Sequence, residues 1–125
     1  MKKIVLLCIT LWLVAADFEW VPYEQALKLA KKEHKPIMIM ISQKHCPVCS
    51  YMEDVTFEDM DLSEYIEDRL VPVKINLKQA AQYGFEAYGT PTFYFLSSDG
   101  KPLTRPFAGG TNAKNFMRKL KEILR

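Results

Sequence analysis

The stretch Lys44-His45-Cys46-Pro47-Val48-Cys49 places two cysteines three positions apart, between an apolar segment and a helical one. The residues before it, Pro36 to Ile41, form an apolar run of strand length. Pro47 is typical of the first position of a helix, where its missing N–H is not needed. A Cys-x-x-Cys pair in this setting is either a dithiol/disulfide switch or half of a metal site.

The first 16 residues have the composition of a secretory signal peptide. Lys2 and Lys3 form a basic region, Ile4 to Val14 is an almost unbroken apolar run, and small residues follow up to Ala16. The run is shorter than the roughly 20 residues that span a bilayer, which disfavours an uncleaved membrane anchor. We therefore predict a signal peptide over residues 1–16, one folded domain over residues 17–125, and a periplasmic location.

Export would leave a neutral domain with one pair of cysteines. Removing Lys2 and Lys3 from the 17 basic residues leaves 15, which balance the 15 acidic residues, so neither nucleic acid nor a stable membrane association is indicated. The third cysteine, Cys8, lies in the signal peptide. The remaining pair, Cys46 and Cys49, would close too short a loop to stabilise the fold much, which favours a chemical role over a passive disulfide.

Helical and strand patterns alternate along the chain and predict an α/β fold. Helices are expected over Tyr23–His34, from Cys46 onward with Val48, Cys49, Met52 and Val55 facing the core, over Leu62–Leu70, over Lys78–Tyr83 and after Asn112. Strands are expected near Phe18 to Val21, over Pro36–Ile41, over Val71–Asn76 and over Phe93–Leu96, followed by an edge strand over Lys101–Ala108 that contains two prolines. The run Pro36–Ile41 is apolar at every position, which predicts a central strand covered on both faces.

This order of elements resembles the thioredoxin superfamily. Two motifs carry the resemblance: the Cys46-Pro47-Val48-Cys49 turn, and Thr90-Pro91-Thr92 before a strand, which is similar to the family's cis-proline loop. The resemblance covers nearly all of residues 17–125 and extends to exported bacterial thiol:disulfide interchange proteins. It implies a thioredoxin-like fold, with a central mixed β-sheet flanked by helices on both faces.

The helix start and the resemblance together suggest roles for the two cysteines. Free N–H groups and the positive end of the helix dipole would stabilise a thiolate at Cys46, and Lys44 and His45 would add positive potential. Cys46 is therefore the expected nucleophile, which forms a mixed disulfide with substrate, and Cys49 is the resolving thiol. The redox-active disulfide itself would carry the electrons, so no separate cofactor and no metal are expected.

The other residues of the two motifs are expected either to influence the redox potential or to bind substrate. Pro47 and Val48 lie between the cysteines, where they would influence the redox potential. The resemblance implies a cis bond before Pro91 and a backbone at Thr90 that binds an extended substrate segment; a trans turn proline is the alternative.

The chain departs from the thioredoxin pattern at Met40, where thioredoxins carry a buried Asp that helps to deprotonate the second cysteine. The proton acceptor for Cys49 is therefore unassigned. Lys74 matches the lysine that usually accompanies this Asp and is expected to be neutral, paired elsewhere or turned outward. An ordinary surface lysine fits the sequence equally well.

The direction of electron flow does not follow from the Pro47-Val48 pair, which differs from that of thioredoxins and of the strong periplasmic oxidase. The chain also has no room for the oxidase's helical insertion or for the isomerases' dimerisation domain. By elimination we expect a monomeric reductase of protein disulfides that receives electrons from a membrane or periplasmic donor. Two alternatives stay open: a copper-binding or copper-delivery module using Cys46, Cys49 and His45, and a non-catalytic binding domain.

Overall fold

The computed structural model describes residues 18–125, so the predicted signal peptide lies outside the described residues. The helices are α1 (Tyr23–Glu33), α2 (Pro47–Tyr51), α3 (Met60–Arg69), α4 (Leu77–Tyr83) and α5 (Ala113–Ile123), and a π-helical turn, Met52–Thr56, continues α2 directly. The strands are β1 (Ile37–Ser42), β2 (Val71–Asn76), β3 (Thr92–Leu96) and β4 (Phe107–Ala108). Among residues 18–125, no helix is long and apolar enough to cross a membrane.

The strands form one mixed sheet in the order β2-β1-β3-β4. β1 pairs with β2 in parallel and with β3 antiparallel, and β4 runs antiparallel to β3 at the sheet edge. The central position predicted for the apolar strand is confirmed, because all five residues of Ile37–Ile41 are fully buried. The C-terminal end of β1 leads into the cysteine turn, which places the two cysteines just beyond the end of this central strand.

Helices cover both faces of the sheet, as the α/β prediction requires. The isoleucines of β1 pack with Ala26 and Ala30 of α1 and Ala80 of α4. On the opposite face, Met38 and Met40 of β1 pack with residues of α2, α3 and α5, including both cysteines. Because side chains alternate along a strand, this single apolar strand serves both cores. The predicted mixed sheet with helices on both faces is confirmed.

Two of the strand predictions were wrong: one segment forms no strand, and the other forms a much shorter one. The segment from Phe18 to Val21 forms no strand and contributes only one hydrogen bond to the sheet, from the Val21 N–H to the Pro72 carbonyl at 2.8 Å. β4 has two residues instead of the eight expected over 101–108, and the rest of that arm contributes one isolated bridge, between Leu96 and Pro102. The prolines of this arm lack the N–H that a continuous ladder needs.

The helix that follows the cysteines does not keep one regular period. The π-helical turn shifts the inward-facing positions, so that Thr56 is buried while Val55 is 54% exposed. Val48 is also exposed, at 43%. The expectation that Val48 and Val55 face the core is therefore wrong, whereas Cys49 and Met52 are buried as expected.

Candidate active site

Cys46 and Cys49 form a disulfide at the start of α2, with their Cα atoms 5.2 Å apart. Cys46 is the N-cap residue, in an extended conformation, and Pro47 occupies the first helical position. The N–H of Cys49 donates a hydrogen bond to the Sγ of Cys46 at 3.2 Å. Since this N–H is one of those left unpaired at a helix start, the helix directs a partial positive charge onto the first sulfur.

The cysteine turn separates the residues around the disulfide into exposed and buried sets. Lys44, His45 and Pro47 are exposed, whereas Cys46 keeps 8% of its surface accessible and Cys49 only 2%. His45 has a left-handed backbone, with φ of 59°, which reverses the chain between β1 and α2. The first cysteine is thus the more accessible of the two.

The loop before β3 lies against the disulfide. The Thr90–Pro91 peptide bond is cis, and Pro91 is buried. The Sγ of Cys46 is 3.5 Å from the carbonyl oxygen of Thr90. The Thr92 hydroxyl donates to the carbonyl of Gly89 at 2.6 Å and closes the loop on itself. The cysteine motif and the proline motif therefore meet, although they are more than 40 residues apart in the chain.

A third segment, Gly109 to Thr111, completes the surroundings of the disulfide, and it was not predicted to lie there. The Gly109 N–H donates to the Pro91 carbonyl at 2.9 Å, which joins this segment to the proline loop. A Cβ atom built on Gly110 would lie 2.6 Å from Cγ1 of Val48. Only glycine permits this approach, so Gly110 brings the segment into contact with the helix that carries the cysteines.

The π-helical turn anchors this third segment from the other side. The Thr56 hydroxyl, which is buried, donates to the carbonyl of Thr111 at 2.6 Å. The Thr111 N–H in turn lies 3.3 Å from the sulfur of Met52 and donates to it. Proline loop, glycine segment and cysteine helix are therefore connected by specific contacts into one rim around Cys46.

Lys74 is turned outward and paired with a carboxylate that we did not single out from the sequence. Its Nζ is 2.5 Å from Oε1 of Glu53 in the π-helical turn, and it lies 5.8 Å from the centre of the Trp20 ring. Met40, at the position of the usual Asp, is fully buried. The available signal was the four-residue spacing from Cys49 to Glu53, which corresponds to about one helical turn.

Lys44, His45, Glu53 and Lys74 line one open pocket of about 440 Å³ beside the cysteine turn. Within residues 18–125, no group of three or more His, Cys, Asp or Glu side chains is arranged to hold a metal ion. His45 therefore does not form such a group with the cysteines in this part of the chain.

Comparison with known proteins matches residues 23–124 to the model of a thioredoxin-like domain. The disulfide bond reductase DsbH of Chlamydia pneumoniae is 26% identical over 130 residues, covering 90% of this chain and 76% of that protein. Spermatogenesis-associated protein 20 of Homo sapiens is 27% identical over 101 residues, covering 74% of this chain but only 13% of the human protein.

Among solved structures, a thioredoxin from Thermus thermophilus superposes with a TM-score of 0.73 at 26% identity, covering 86% of this chain and 88% of the thioredoxin. The family match covers all five helices and all four strands of the described residues. It leaves out the segment before α1 and the last residue, Arg125. This chain belongs to the thioredoxin-like domain family.

Proposed function

We propose that this chain is an exported thiol:disulfide oxidoreductase that reduces, or exchanges, protein disulfides through Cys46 and Cys49. The observation that carries the proposal is the position of the Cys46 sulfur, which receives the Cys49 N–H at a helix start and lies 3.5 Å from the Thr90 carbonyl. A sulfur in this position is stabilised as a thiolate and is adjacent to backbone that an extended peptide can pair with.

Cys46 is the nucleophile in this proposal, because it is the more accessible cysteine and the one at the helix start. Its thiolate attacks one sulfur of a substrate disulfide, forms a mixed disulfide and releases the other substrate sulfur as a thiolate, which takes up a proton. Cys49 then loses its proton and attacks the Cys46 sulfur. The Cys46–Cys49 disulfide forms, the second substrate thiol is released, and two electrons have passed to the substrate.

The reducing direction is supported by the elimination of the oxidase and isomerase patterns, and by the similarity to a disulfide bond reductase of Chlamydia pneumoniae. Continued reduction requires a donor that returns the pair to the dithiol, and we propose a membrane or periplasmic protein for that role. The dithiol carries the electrons itself, so the proposal includes no separate cofactor. Export rests on the composition of residues 1–16, and mass analysis of the secreted protein would test cleavage before Asp17.

Reduction of insulin disulfides tests the activity. We expect reduced wild-type protein to precipitate the insulin B chain, and Cys46→Ser to be inactive. Cys49→Ser should accumulate a mixed disulfide at Cys46, visible as a mass increase that dithiothreitol removes. Failure of fully reduced wild-type protein to reduce insulin would contradict the proposal. A mixed disulfide trapped at Cys49 in Cys46→Ser, with none at Cys46 in Cys49→Ser, would also contradict it.

The equilibrium of the pair with glutathione tests the direction. In a reductase, the Cys46–Cys49 disulfide should persist until the ratio of reduced to oxidised glutathione is very high. The reason is that a reducing pair has a lower reduction potential than the glutathione pool. A pair that is reduced as readily as that of a strong oxidase would replace the reductase proposal with an oxidase.

A further inference from the structure

The buried face of the sheet near Cys49 has no carboxylate on β1. Met40 stands where thioredoxins carry the buried Asp. It is fully buried and lies in the same core cluster as Cys49 and Met52. The neighbouring residue across the parallel pair is Lys74. Residues aligned in adjacent strands project from the same face of a sheet, so the Lys74 side chain extends from the face on which the cysteine helix lies.

Glu53 brings a carboxylate to this face from the helix instead of from the strand. It follows Cys49 by four residues, and side chains four apart on a helix are neighbours, with Cβ atoms about 5–6 Å apart. Its carboxylate bonds to Lys74, and the two side chains keep 29% and 38% of their surfaces exposed. The pair is therefore adjacent to Cys49 along the helix and in contact with water.

The charged groups around Glu53 come from three elements. Lys44 and His45 of the cysteine turn and Lys74 of β2 line the pocket on one side of it. Asp54 and Glu58 lie with it around a second pocket, next to Phe18 and Trp20. The core cluster that holds Cys49 contains apolar side chains and the other cysteine. Glu53 is thus the carboxylate that lines this pocket together with Lys44, His45 and Lys74.

We propose that Glu53 is the proton acceptor for Cys49 and that Lys74 is the positioning residue that holds it. This rests on the proposed function. As Cys49 attacks the mixed disulfide, its thiol proton passes to the Glu53 carboxylate, directly or through one water molecule, while the new Cys46–Cys49 bond forms and the substrate sulfur leaves with the electron pair. The protonated Glu53 then returns its proton to solvent, to which it is exposed.

A two-phase reaction with limiting dithiobis(nitrobenzoate) isolates this step. Reduced protein releases one coloured thiolate when Cys46 attacks the reagent, and a second when Cys49 resolves the mixed disulfide. Cys49→Ser shows the first phase alone and identifies it. The variants are Glu53→Gln, which keeps the side-chain shape, Lys74→Met, Lys74→Arg, and Asp54→Asn as the matched control, since it neutralises the adjacent carboxylate.

At pH 7 we expect Glu53→Gln to slow the second phase about tenfold or more and to leave the first phase within about twofold of wild type, because loss of a general base typically costs at least this much. Lys74→Met should slow the second phase less, Lys74→Arg should restore it, and Asp54→Asn should match wild type. As the pH rises towards 10, hydroxide becomes abundant enough to accept the proton in place of the carboxylate, so Glu53→Gln should approach the wild-type rate.

This pH dependence separates a proton acceptor from a structural role. A Glu53→Gln rate equal to wild type at pH 7 would overturn the proposal, and so would slowing by one constant factor from pH 7 to pH 10. Fluorescence of Trp20, which lies beside Lys74, checks that each variant keeps the local packing. Absence of the first phase in wild-type protein would instead contradict the proposed function, so the two failures are distinguishable.

Discussion

Gly110 approaches Val48 so closely that a Cβ atom at position 110 would lie 2.6 Å from the valine Cγ1. This contact joins the segment after β4 to the residue between the two cysteines. Valine is branched at Cβ and has one strongly preferred side-chain conformation in a helix, so it cannot move aside freely. The contact therefore fixes how closely the segment after β4 approaches the helix that carries the cysteines.

Gly110→Ala should lower the free energy of unfolding by about 1–3 kcal/mol, as expected for overpacking, and reduce kcat/KM for insulin. Gly89→Ala is the matched control, because a Cβ there meets nothing within 4 Å. The double variant Gly110→Ala/Val48→Ala removes the clashing methyl group and should recover most of the lost stability. Urea unfolding measures each effect, and a Gly110→Ala variant as stable as wild type would show that the helix and the segment separate at little cost.

Thr56→Val should destabilise the protein by about 1–3 kcal/mol, because it removes the donor to the Thr111 carbonyl while keeping the shape of the side chain. The loss should also raise KM for a protein disulfide more than it changes kcat, since the rim around Cys46 loses one anchor. Thr56→Ser retains the hydroxyl and should keep the wild-type KM. Equal KM values for the valine and serine variants would show that this hydrogen bond does not shape the rim around Cys46.

His34→Gly should stabilise the protein by about 1 kcal/mol. His34 follows α1 with φ of 55°, a left-handed conformation that costs a side chain roughly 1–2 kcal/mol and costs glycine little. His34→Ala removes the imidazole but keeps the Cβ, so it should give no comparable gain. Thermal unfolding would decide, and a gain shared by both variants would assign the effect to the imidazole instead of the backbone.

Stability should fall as the pH rises above about 10. Burial raises the pKa of Tyr23, with Tyr83 as a smaller contribution, and burial likewise raises the pKa of Tyr94. A raised pKa means that the folded protein retains a proton that the unfolded chain loses, so the stabilisation is complete below the ordinary tyrosine pKa and is lost as the pH passes through the raised value. Urea unfolding at several pH values should show a shallower decline for Tyr23→Phe/Tyr94→Phe, and an unchanged decline would contradict this assignment.

The sequence predicted the parts of the fold that depend on local pattern. β2 spans Val71–Asn76, as predicted, because its four apolar residues are buried and Asn76 caps the helix that follows. The last helix was expected after Asn112, and the Asn112 side chain caps it by accepting the Asn115 N–H. Cys46 and Cys49 were recognisable because a helix start and a Pro at the first helical position surround them.

The parts that could not be predicted depend on contacts between distant segments. An α-helix and a π-helical turn have nearly the same sequence pattern, so nothing local indicated that Thr56 would replace Val55 on the buried side. The approach of Gly110 to Val48 and the Glu53–Lys74 pair each join different elements. Such contacts depend on the position and orientation in which each helix packs on the sheet, which composition and periodicity do not determine.

Proline lies at both edges of the sheet, and this has a consequence for behaviour at high concentration. Pro72 in β2 has no N–H to offer, and its carbonyl already accepts the Val21 N–H. At the opposite edge, Pro106 directly precedes the two residues of β4. Neither border presents an uninterrupted row of donors to a strand of another molecule, which is the usual template for intermolecular β-sheet polymerisation. The folded protein should therefore resist fibril formation by strand addition even where it accumulates.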